Sequence, residues 1–116
     1  MGTPTNDPRQ RLHAFTDDAL GADDATALAE RIRRGDVSAT DAAEAAIERI
    51  GRVDPVLQAV AWEAWDRARG EAARPGRGAF AGVPTLIKDN IDVAGLPSGH
   101  GARAVRPGPA DKDSDF

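Results

Sequence analysis

The chain has 116 residues, room for one small domain, and its 41% apolar content overstates the core because Ala supplies 23 of those residues. Leu, Ile, Val and Phe together make up only about 18% of the chain, so a weak core and marginal stability in isolation are expected. A formal charge of −4 gives no pull toward nucleic acid or acidic membranes, the absence of Cys excludes a disulfide framework or thiolate metal site, and no apolar run approaches the ~20 residues that span a bilayer.

Residues 1–21 are polar, contain Pro4, Pro8 and Gly21, and read as a flexible lead-in with a helical turn near Asp17–Leu20. Residues 1–15 have no apolar central stretch, so no secretory signal is expected and a cytoplasmic location is the default. Residues 23–53 then read as a helix pair. In the first helix Ala25, Leu28, Ala29 and Ile32 share one face, Asp23 and Asp24 open it, and Arg31, Arg33 and Arg34 close it, with Gly35 placed for a left-handed C-terminal cap. In the second, Ser38 with Asp41 forms a capping box, Ala43, Ala46, Ile47 and Ile50 form the stripe, and Asp54-Pro55 is expected to end it.

Residues 56–61 suit a short strand, and residues 62–73 a third helix carrying Trp62 and Trp65 on one face, as packing residues. A loop through Pro75 and Gly76 leads to residues 83–87, read as a strand apolar on both faces that ends in Lys88. A Gly-rich loop over 95–101 follows. The segment Asp111-Lys112-Asp113-Ser114 resembles a helix start, which suggests that the chain is the N-terminal piece of something longer.

Lys88 is the sharpest candidate for chemistry. A Lys delivered by a covered strand is desolvated, and desolvation favours the neutral amine that a general base needs. Spacing alone better fits an ordinary solvated Lys paired with Asp89 or Asp92, since a strand followed by Lys-Asp-Asn is a weak signal. Ser98 and His100 invite a nucleophile–base reading, but no nucleophile-elbow pattern surrounds Ser98, and a turn hydroxyl beside a surface imidazole is the simpler account. Gly99-His100-Gly101 has the make-up of a backbone anion nest without the spacing of a phosphate loop. The carboxylates show no metal-ligand spacing. As a DNA-binding helix pair, residues 23–53 fail on charge, because Asp41, Glu44 and Glu48 outnumber Arg49 and Arg52 on the second helix.

The stretch GVPTLIKDNIDVAGLPSGHGA, within residues 80–102, resembles the N-terminal part of the amidase signature family, and the order of elements from about residue 16 onward is similar too. The resemblance implies an α/β fold, a mixed sheet covered by helices. It also implies a hydrolase of carbon–nitrogen amide bonds that works through a Ser–cis-Ser–Lys triad, in which Lys88 acts on a bridging Ser that relays the proton of the nucleophilic Ser. No cofactor or metal is called for. The implied partner is a small-molecule amide, with no nucleic acid and no membrane. Both triad serines are expected downstream of Lys88 in a Gly/Ser-rich signature, and Ser38, Ser98 and Ser114 do not lie in one. The 116 residues alone are therefore expected to be inactive. The alternative, from another class, is a small helical docking module that makes no use of Lys88.

Overall fold

The computed structural model describes residues 11–115. The expected lead-in over residues 1–10, and Phe116 at the end of the expected helix start, lie outside them. Among the described residues there are three helices: α1, Ala25–Arg34; α2, Ala39–Leu57; and α3, Trp65–Ala73.

The caps of α1 and α2 follow from local sequence. Asp24 stands in extended backbone before α1 and its carboxylate accepts the Ala27 N–H at 2.8 Å. Gly35 closes α1 with φ 78°, a left-handed conformation that Gly adopts without a Cβ clash, and its amide donates to the last carbonyls. Ser38 then caps α2 by accepting the Asp41 N–H at 3.0 Å.

α2 does not stop at Asp54-Pro55. It continues through Pro55 to Leu57 and ends at Gln58, φ 49°. Pro55 withholds one N–H from the Gly51 carbonyl, and Gly51 is exposed, so water can serve that oxygen. Asp54 organises the exit instead: its carbonyl accepts the Gln58 N–H at 2.7 Å, and its carboxylate accepts those of Ala59 and Val60 at 2.7 and 3.1 Å.

The expected mixed sheet is absent. Among the described residues there is no strand, only a single parallel bridge between Ala94 and Ala110. Residues 56 and 57 belong to α2, and residues 83–87 run without helix or ladder. The β-branched and apolar side chains of 83–87 are compatible with a strand, but a strand needs a neighbouring edge, and no described segment lies alongside this one. Among the described residues all helix lies within 25–73, and the chain is irregular thereafter.

The core sits where α1 and α2 meet. Leu28, Val37 and Ala42 are buried together, with Ala19, Leu20, Ile32 and Val83 packed against them. Ala39, Ala42, Ala43 and Ala45 line the buried side of α2, so little apolar area leaves water there. α3 packs on α2, where Arg69 pairs with Glu44 at 2.6 Å.

Residues 14–21 are tied to this helical frame. The Arg49 guanidinium of α2 spans the Asp18 carboxylate at 2.6 and 2.7 Å and also donates to the Gly21 carbonyl at 2.7 Å, with the Phe15 ring 5.8 Å away. This Arg49 contact holds the Asp18 carboxyl below its usual range, and the N–H groups of Gly21 and Leu20 add to it. Arg31 and Arg52 reach the carbonyls of Ala19 and Ala14, each at 3.1 Å.

Candidate active site

The segment that carries Lys88 is anchored at both ends. At its start, Gly82 has φ 85° and lies so close to the helices that a Cβ there would stand 2.8 Å from the Ala39 Cβ and 3.4 Å from Ile32. Only Gly fits that approach. Val83 follows and packs on the core cluster. At its end, Lys88 opens a tight turn, its carbonyl accepting the Ile91 N–H at 3.0 Å.

Between the anchors the segment is open. Leu86 and Ile87 are 68% and 45% exposed, and Lys88 is exposed as well. The covered strand expected to deliver Lys88 is not formed: among the described residues no layer lies over 85–88, and the side chain meets solvent. Lys88 makes no ion pair with Asp89 or Asp92 either. It stands at the edge of an open groove of about 940 Å³, whose apolar lining includes Trp65, Pro84, Ile87 and Leu96.

Asp89, the next residue, is the best-connected group of the region. Its Oδ1 accepts the Trp62 indole N–H at 2.8 Å and the Gly99 amide at 2.9 Å. Its backbone carbonyl accepts the His100 amide at 2.9 Å and the Ser98 hydroxyl at 3.3 Å. The Gly99 amide above all, and then the Trp62 indole, hold the Asp89 carboxyl below the ordinary value.

In the Gly99-His100-Gly101 stretch, the Gly99 amide is thus engaged by the Asp89 carboxylate and the His100 amide by the Asp89 carbonyl. Gly99 is buried against the carboxylate, since a Cβ would stand 3.2 Å from Asp89 Oδ2 and 3.4 Å from the Trp62 ring. Ser98 is buried, His100 is exposed, and no hydrogen bond joins them, so they do not form a nucleophile–base pair.

Trp62 lies ahead of α3 rather than on one face with Trp65, 45% exposed and with its indole committed to Asp89. Sequence reasoning weighed Asp89 only as an ion-pair partner of Lys88. The available signal was an Asp at a turn, ten residues before a Gly with a free amide. Ser114 does not cap a helix among the described residues: its hydroxyl accepts the Asp92 amide at 2.9 Å, and its own amide returns to the Asp92 carbonyl. No group of three or more His, Asp or Glu among the described residues is arranged to hold a metal ion. No described helix is long and apolar enough to cross a membrane.

The Amidase family model matches residues 41–116, which takes in α2 from Asp41 onward, α3 and the whole Lys88 segment. The chain belongs to the amidase family. It is 53% identical over 107 residues to "Putative amidase AmiC" of Mycobacterium leprae, covering 92% of this chain and 23% of that relative. It is 55% identical over 109 residues to the protein of the same name in Mycobacterium tuberculosis, covering 91% and 23%. With the 6-aminohexanoate-cyclic-dimer hydrolase of Paenarthrobacter ureafaciens it shares 44% identity over 66 residues, 57% of this chain and 13% of that enzyme. The chain therefore spans about a quarter of the length of these two mycobacterial relatives. No solved structure matches it.

Proposed function

We propose that this chain supplies the general base of an amide hydrolase, and that Lys88 is that base. The observation that carries the reading is the placement of Lys88. The family's characteristic segment is fixed to the helices at Gly82 and to Trp62 through Asp89, and it presents an amine with no acidic partner among the described residues at the edge of an apolar groove. The substrate class is a small-molecule amide.

In this mechanism the neutral Lys88 amine accepts a proton from a bridging serine, which takes it in turn from the nucleophilic serine as that oxygen attacks the amide carbon. The proton later passes to the leaving nitrogen as the carbon–nitrogen bond breaks. Both serines come from outside these 116 residues. Ser38 is engaged in capping α2, Ser98 is bound to the Asp89 carbonyl, and Ser114 is bound to Asp92.

The test is a chimera in which this chain replaces the matching segment of the Mycobacterium tuberculosis relative. Lys88→Ala should lower kcat/KM about 1,000-fold, within the usual range for removing a general base. Lys88→Arg should be severely impaired too, since a guanidinium stays protonated at every accessible pH. Parent-like kcat/KM in Lys88→Ala would end the assignment. The 116 residues alone should hydrolyse no amide or ester, and an acyl group trapped on Ser98 would contradict that.

A further inference from the structure

Lys88 owes its position to very few contacts. Residues 85–87 are exposed, and none of their amides donates to a backbone carbonyl among the described residues. Upstream, the nearest fixed points are Gly82 and Val83. Downstream, the first fixed point is the very next residue. Four donors converge on Asp89: two on one carboxylate oxygen, from Trp62 and Gly99, and two on its carbonyl, from Ser98 and His100. They come from two stretches of chain, one just ahead of α3 and one in the Gly-rich loop. A Cβ at Gly99 would stand only 3.2 Å from Asp89 Oδ2, so the donor loop sits tightly against the carboxylate.

We propose that Asp89 is the positioning residue for Lys88: by fastening the turn to Trp62 on one side and to residues 98–100 on the other, it fixes the backbone from which the amine projects. This rests on Lys88 being the general base. Hydrogen bonds to an ionised acceptor are shorter and stronger than neutral ones, which suits a fastening with no packed layer behind it. The lowered pKa of Asp89 keeps the carboxylate ionised through the neutral range. Loss of the fastening frees the turn, and a displacement of about 1 Å at a reacting group is enough to cost ~100-fold in rate.

The test uses the same chimera and reads kcat and KM separately. Asp89→Ala should lower kcat about 100-fold with KM little changed, because the base moves while the substrate groove remains. Asp89→Asn keeps Oδ1 as an acceptor for both N–H groups and should recover most of the lost kcat. Trp62→Phe removes one donor and should lower kcat about fivefold, the worth of one hydrogen bond, yet add nothing on top of Asp89→Ala.

Parent-like kcat in Asp89→Ala would overturn the inference, as would an Asp89→Asn variant no better than Asp89→Ala. If Asp89→Ala does not fold, Trp62→Phe decides, and an unchanged kcat there overturns the inference. Failure of the underlying reading looks different: it is Lys88→Ala, not the Asp89 variants, that would then retain parent activity.

Discussion

The two halves of this chain are held together by different means. Over residues 25–57, helix periodicity, an Asp cap, a Gly cap and a Ser cap all agree with one another, and the buried residues cover one another. Over residues 80–115 there is no repeating element. The chain is pinned at separate points: Gly82 on Ala39, Asp89 on Trp62 and Gly99, Ser114 on Asp92, and the Ala94 amide on the Asp113 carboxylate at 2.7 Å. The regular half is a scaffold that can be understood from itself. The irregular half holds the candidate chemistry and leaves Phe80, Leu86 and Ile87 exposed, as functional loops on rigid supports commonly do.

Substitutions can break or sharpen that contrast. Leu28 is 5% exposed at the centre of the helical core, so Leu28→Ala should be the most damaging, at about 3 kcal/mol. Chemical denaturation read by helical circular dichroism would measure it. Next comes Gly82→Ala, which places a Cβ against Ala39 and strains a positive φ, at a cost of about 2 kcal/mol. Its loss should be visible both in the helices and in the Lys88 segment, since Gly82 joins the two.

A smaller effect is expected at Asp18, and it depends on pH. Its carboxyl is held below the ordinary value by Arg49, so the folded state is favoured while Asp18 is ionised. That contribution is present in full above the unfolded pKa and is lost as pH falls through the lower, folded pKa. Thermal midpoints should thus hold steady from pH 7 to 5 and drop below about pH 4. Asp18→Asn should lower the midpoint at pH 7 and flatten part of the acid drop. Smallest of all, Leu86→Ser should change stability by less than ~0.5 kcal/mol in this chain, because the side chain is 68% exposed.

Much of the scaffold was legible in the sequence because its signals are local. Gly35 and Ser38 each act within three or four residues, and the structure uses both as the expected caps. Asp24, expected inside the first turn, stands one step earlier as the N-cap of α1. Pro55 misled because the cost of a helical Pro is local, while the compensation by Asp54 reaches forward to Ala59 and Val60. The mixed sheet was misread for a similar reason. Val83, Leu86 and Ile87 have the character of strand residues, but pairing is non-local, and no described segment provides the edge. At the site, the motif singled out Lys88, and composition alone left Asp89 as a possible ion-pair partner. Its contact with Trp62 lies 27 residues away in sequence and involves an indole that was assigned to packing.

The central claim is that the Lys88 segment is fixed at its two ends and free between them, against the helical frame of α1 and α2. Residue-resolved amide hydrogen exchange on residues 1–116 tests this most directly. The account predicts the slowest exchange in α1 and α2, intermediate protection at the Gly99 and His100 amides held by Asp89, and rapid exchange at Thr85, Leu86 and Ile87. Slow exchange at those three residues, matching that of α1 and α2, would contradict it.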